Sequence, residues 1–410
     1  PSAVGAWFLA GILMIAIALC YTELSLAFPE TGAVAVFPYE AFGPYPTVRA
    51  FASYLEGVGY SIGWVFGITV SALAVADYLA VLFPAVGGHT AVVAVVAIGA
   101  AALVNLLGVD VTSRANLLLS AVLLAILLTF VAAGLSHVRP SNYDPLLTDG
   151  PVRFFAAVQV AITAYGAWTA IPAAIEEIRD PARTVPRAIL LSLGIATLLY
   201  TGVVAAIHGV VPPARFAGDT VAMTAPLRVA TDAIGFGWLQ SLLAMASVVA
   251  IFTTMLVGIM SASRVLFALG RNRTLPSAFA TTSDRFAVPW VGVVAVALLA
   301  GGLAAVPRYF YQLLVIAAVV GTGAPYAINI LSFVGLRYYR TDVSPAFRAP
   351  GGYALPVVAF AVLGIAMLGL GSTEVLWSVG ALALLSGYFV VRKAFGPDVT
   401  GRESISKGPE

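Results

Sequence analysis

Apolar residues run along this chain in blocks of about 20, the length at which an α-helix crosses a bilayer while satisfying its own backbone groups. Eleven blocks stand out, at 3–27, 50–83, 90–108, 115–135, 154–175, 186–211, 238–268, 290–306, 309–336, 354–371 and 374–392. Several exceed what lipid requires, which predicts tilt or extension beyond the bilayer. The 212–237 stretch, with Pro212, Pro213, Asp219, Pro226 and Asp232, is too polar to span. It is predicted to lie over one membrane face, with a short amphipathic helix near 221–234. Two blocks carry glycine–proline interruptions, Gly166 to Pro172 and Gly321 to Pro325. Such breaks are tolerated where irregular backbone lines a cavity.

Composition points the same way. The chain has 410 residues, 60% hydrophobic and 10% charged, where soluble domains carry about 25% charged residues. The net charge of +2 is too small to argue for nucleic acid.

Charge distribution fixes an orientation. With the C-terminus cytoplasmic, sixteen cations fall on the inner side: Arg49, Arg114, Arg179, Arg183, Arg187, Arg264, Arg271, Arg273, Arg285, Arg337, Arg340, Arg348, Arg392, Lys393, Arg402 and Lys407. Only five fall outside: Arg139, Arg153, Arg215, Arg228 and Arg308. That asymmetry obeys the positive-inside rule. It also places Pro1 outside, so a further transmembrane helix is expected ahead of it. One multi-pass domain over 1–394 and a cytoplasmic tail over 395–410 are predicted.

Enzymatic chemistry finds little support. Cys20 is the single cysteine, and His89, His137 and His208 lie far apart. No HExxH, CxxC or phosphate-binding loop occurs, so neither a metal centre nor a converged nucleophile and base is expected.

Four stretches, in order, resemble the amino acid–polyamine–organocation transporters: CYTELSLAFPETGAVAVFPYEAFG (20–43), NLLGVDVTSRANLLLS (105–120), AYGAWTAIPAAIEEIRDPARTVPRAI (164–189) and SASRVLFALGRNRTLP (261–276). The resemblance implies an all-α membrane fold of two inverted five-helix repeats with two extra helices. Residues 1–135 would be the rest of the first repeat, 154–340 the second and 354–394 the extra pair. On this alignment the helix ahead of Pro1 is the family's first. The family's first and sixth helices are broken at mid-membrane, and their ends offer N–H and C=O groups to a zwitterion.

The resemblance assigns substrate binding to Thr163, Tyr165, Gly166, Ala167 and Trp168. Gly166 would supply conformational freedom at the break, and Pro172 a missing N–H beyond it. Thr169 stands where many relatives carry an acid, which argues against a cationic substrate. The alternative for Tyr165 and Trp168 is plain packing. Ala250, Thr253 and Thr254 repeat the spacing of a carbonyl and two hydroxyls that hold Na+ in sodium-coupled transporters of this fold. Alternatively, each threonine bonds the carbonyl one turn back. Leu123 stands where proton-coupled relatives keep a lysine. Glu176, Glu177, Arg179, Asp180, Arg183 and Arg187 alternate in sign and form a candidate inner gate, or else a solvated loop. Glu56 and Asp77 are carboxylates within an apolar block, where charge is costly.

These readings converge on a secondary transporter of an amino acid in the cell membrane. Sodium symport is the expected coupling, with exchange, proton coupling or inorganic-ion cotransport as alternatives. No cofactor is expected besides Na+, and oligomeric state is not legible.

Overall fold

The computed structural model describes residues 2–30, 32–107, 113–144, 150–173, 175, 178–215, 226–283, 285, 288–306, 319–368 and 372–395. Among them every regular element is helical. Six helices are long and apolar enough to cross a membrane. One bent pair and four shorter apolar helices complete a one-to-one match with the eleven predicted spans.

The helices are α1 (Ser2–Ala27), α2 (Ala33–Ala41), α3 (Pro46–Leu82), α4 (Thr90–Leu106) and α5 (Ser113–Ser136). Then follow α6 (Gly150–Ala164), α7 (Ala170–Ala173), α8 (Pro181–Val210), α9 (Pro226–Ile234) and α10 (Gly237–Arg271). The rest are α11 (Trp290–Ala304), α12 (Ala324–Tyr339), α13 (Ala354–Leu368) and α14 (Ser372–Phe395), with a π-turn over Val319–Gly323 leading into α12.

Large apolar side chains cover the outside: Leu198 is 73% exposed, Leu298 71% and Leu384 78%. Water would penalise that surface, whereas hydrocarbon does not. The chain is a multi-pass membrane protein.

Two buried clusters organise the bundle. One joins α1, α2, α6 and α12 through residues such as Met14, Phe37, Ile162 and Phe333. The other joins α3, α4, α10 and α11 through Ile68, Ile98, Met255 and Val296. The 37-residue α3 is the central post, packed most extensively against α10. Proline at its first turn and at that of α8 presets the helical φ without losing a needed N–H.

Two elements differ from the expectation. The amphipathic helix is described only from Pro226, as α9. Nine-residue α2 had no counterpart among the spans, because a block that short gives no membrane-length signal. Its residues 33–37 are almost fully buried, and Ser53 Oγ on α3 donates to the Ala35 carbonyl at 2.6 Å.

Candidate substrate site

The block at 154–175 breaks where the sequence interrupts it. Helix α6 ends at Ala164, a 3-10 turn covers Gly166–Thr169, and the chain bends by 46°. Pro172 has no N–H, so the Trp168 carbonyl loses its helical partner. The Thr169 hydroxyl donates to the Gly166 carbonyl at 2.7 Å, compensating one group freed by the break. Gly166 is not in the left-handed region. Its contribution is the absent side chain: a Cβ there would meet only the Tyr326 hydroxyl, at 3.6 Å.

The break opens onto a cavity of about 390 Å³ between the two buried clusters. Trp7 of α1, Tyr60, Trp64 and Ile68 of α3, Thr254 and Met255 of α10 and the Gly321–Pro325 turn form its walls. Thr163, Ala164, Gly166, Ala167 and Thr169 complete it. No charged side chain is among the described lining residues. The Thr163 hydroxyl is buried without a hydrogen-bond partner, a costly state that a polar ligand would relieve.

Helix contact shapes the cavity opposite the break. Gly63 of α3 touches Gly321 in the π-turn, where a Cβ on Gly63 would lie 2.8 Å from Gly321 Cα. Such turns inside helices recur at functional sites.

Of the expected substrate residues, Thr163, Gly166 and Ala167 line the cavity, whereas Tyr165 and Trp168 lie behind it, 3% and 5% exposed. The Tyr165 hydroxyl donates to the Trp7 carbonyl at 3.0 Å. Trp168 packs edge-on against Tyr21, ring centroids 5.1 Å apart. Thr254 reaches the cavity wall, but Thr253 and Thr254 both donate to the Ala250 carbonyl at 2.9 Å. Glu176 and Glu177 lie outside the described residues, and Arg179 and Arg183 are exposed.

Sequence reasoning missed a different ionic cluster. Arg337 of α12 clasps Glu23 of α1 with two bonds, at 2.9 and 2.7 Å. The Ala349 N–H donates to the same carboxylate at 2.6 Å, and Arg337 donates to the Ala349 carbonyl at 3.0 Å. Nearby, Arg49 and Arg340 both reach Glu40, at 3.8 and 3.3 Å. A glutamate inside an apolar block was the available signal.

A family model described as amino acid permease matches residues 1–390. The chain belongs to the amino acid permease family. A branched-chain amino acid permease of Bacillus subtilis is 26% identical over 397 residues, covering 90% of this permease and 81% of that protein. A methylthioribose transporter of the same organism is 24% identical, covering 88% and 78% respectively. A chloroplastic cationic amino acid transporter of Arabidopsis thaliana is 29% identical, covering 68% and 51%. Family membership places this permease in the amino acid–polyamine–organocation superfamily, as the four sequence stretches implied.

Proposed function

We propose that this permease is a secondary active transporter of a neutral amino acid with an apolar side chain, working by alternating access. The observation that carries the reading is the broken α6 opening into an uncharged cavity whose walls are largely apolar and aromatic. The C-terminal end of α6 carries partial negative charge from unpaired carbonyls, which suits the substrate's ammonium group. The bare Thr163 hydroxyl gives that end a second polar contact. Trp7, Trp64, Ile68 and Met255 offer apolar surface to the side chain. A cationic side chain would find no carboxylate among the described lining residues. The branched-chain amino acid permease among the relatives agrees with this reading, and the cationic amino acid transporter does not.

The sodium coupling expected from sequence rests on Ala250, Thr253 and Thr254 sharing one helical face with Thr254 at the cavity wall. Against it, the Ala250 carbonyl already accepts both hydroxyls.

The test is thermal stabilisation of the purified permease by a panel of amino acids, followed by counterflow in proteoliposomes. Leucine, isoleucine or valine should stabilise the protein and exchange, while arginine and glutamate should not. Stabilisation by arginine alone would overturn the substrate class. No response to any amino acid would overturn the function.

A further inference from the structure

The last span is the least enclosed. Only 11% of the apolar stretch in α14 is buried, the lowest share among the six long spans. Its C-terminal half meets the bundle through an aromatic seam with α3. Phe51 packs against Phe389 with ring centroids 5.2 Å apart, and Tyr54 stacks on Tyr388 at 5.9 Å. Beyond the seam Val390, Val391 and Phe395 stay uncovered, Phe395 by 88%.

Cations gather where that seam ends. Arg392 Nη2 donates to the carbonyls of Arg273 and Leu275 at 3.3 and 3.1 Å. Lys393 Nζ donates to the Thr47 hydroxyl at 2.9 Å. These bonds draw the end of α14 to the turn after α10 and to the first turn of α3. Arg271 and Arg273, both exposed, flank that turn. Every partner of Arg392 and Lys393 is a neutral oxygen, so their charge is not cancelled. Among the described residues no acidic side chain bonds Arg271, Arg392 or Lys393. Glu40, the acid on neighbouring α2, is already shared by Arg49 and Arg340. A guanidinium has five N–H donors, yet Arg392 uses only Nη2, and its Nε has no partner.

Charge and apolar surface side by side select the ligand. A soluble anion would use the cations and leave Val391 and Phe395 idle. A zwitterionic lipid would cover the apolar face and gain little from the charge. An anionic head on hydrocarbon chains uses both, and basic pockets between helix ends take such heads. We propose that this end of α14 binds an anionic phospholipid, its phosphate among Arg273, Arg392 and Lys393 and its acyl chains along α14. By the loop charges this end would meet the cytoplasmic leaflet, where anionic lipids collect. The bound head would join α14, α3 and the turn after α10, fastening the least buried span to the bundle.

The experiment uses the purified full chain in a neutral detergent. Native mass spectrometry counts the lipid retained, and thermal unfolding reads its effect. Phosphatidylglycerol should stay bound and raise the melting temperature, whereas phosphatidylcholine with the same acyl chains should not. Lys393→Gln should weaken phosphatidylglycerol binding by about fivefold, and adding Arg273→Asn should bring the loss to about 30-fold. Asparagine suits position 273 because the backbone there is left-handed, with φ of 59°. Arg348→Gln makes the same change of charge in the exposed segment between α12 and α13 and should bind like the wild type. Inorganic phosphate at equal concentration should not raise the melting temperature. Equal retention of the two lipids, undiminished binding by the double variant, or an equal loss in Arg348→Gln overturns the site. Protection by phosphate alone also overturns it, because no acyl chain would then be needed. If the double variant unfolds, Lys393→Gln decides by itself, since retention is counted on folded protein.

Discussion

Trp168 lies flat against Tyr326, ring centroids 6.2 Å apart and planes 10° from parallel. One ring stands just past the break in the sixth span, the other just past the π-turn before α12, so the stack ties two irregular segments together. Tyr326 faces the cavity and Trp168 backs it. The stack therefore couples the cavity wall to the broken segment behind it.

Truncating Trp168 should separate packing from recognition. Trp168→Ala removes a large buried ring and should cost about 3–5 kcal/mol of stability, with Trp168→Phe recovering most of it. Tyr326→Leu combined with Trp168→Phe should reveal a coupling of about 1 kcal/mol. Thermal unfolding in detergent, with and without leucine, measures both. Additive single effects would show that the stack carries no energy of its own.

The Glu23–Arg337 clasp should behave as a buried ion pair. Glu23 is nearly inaccessible, with 2% of its side chain exposed, while Arg337 keeps 17%. Glu23→Gln leaves a guanidinium short of its partner and Arg337→Met leaves a bare carboxylate, so each should cost about 3 kcal/mol or more. The double variant should be more stable than Arg337→Met alone. Melting temperatures of the three proteins decide the point, and a double variant no better than Arg337→Met would refute pairing as the cause.

Much of this architecture is written in the chain because lipid imposes one simple rule. Every spanning segment must be long, apolar and internally bonded, so the spans and the break at Gly166–Pro172 are visible in the order of residues alone. Residues that face the cavity were only partly legible. Thr163, Gly166 and Ala167 sit at the break itself, so local sequence marks them. Tyr60, Trp64 and Tyr326 come from distant segments, and only packing brings them to the same wall. The same limit hid Asn329 as the partner of Glu56, 273 positions away. Tyr165 and Trp168 show the converse: adjacent to the break in sequence, they turn behind the cavity once the chain bends.

Glycines on α3 should divide by what they touch. Gly63→Ala drives a methyl group into the Gly321 backbone, where nothing flexible can yield, and should abolish folding or transport. Gly67 also lines the cavity, yet a Cβ there meets nothing within 4 Å. Gly67→Ala should therefore fold normally and reduce cavity volume. Its affinity should fall for leucine and isoleucine while alanine binding is kept, as competition against labelled substrate would show. Equal losses for large and small amino acids would place Gly67 away from the bound side chain.

Thr253 and Thr254 test whether sodium drives transport. With both hydroxyls bonded to the Ala250 carbonyl, the local geometry is what adjacent helical threonines adopt without any ion. A cation drawing on all three oxygens would have to displace those two bonds. Leucine accumulation is accordingly expected to be indifferent to an inward sodium gradient. Thr253→Val should leave transport within a few-fold, because a lost intrahelical bond of this kind is worth only about 0.5–1.5 kcal/mol. Thr254→Val should weaken leucine binding modestly, since that hydroxyl stands at the cavity wall. Sodium-driven accumulation that disappears in either variant would reverse the assignment and make Ala250, Thr253 and Thr254 the coupling site.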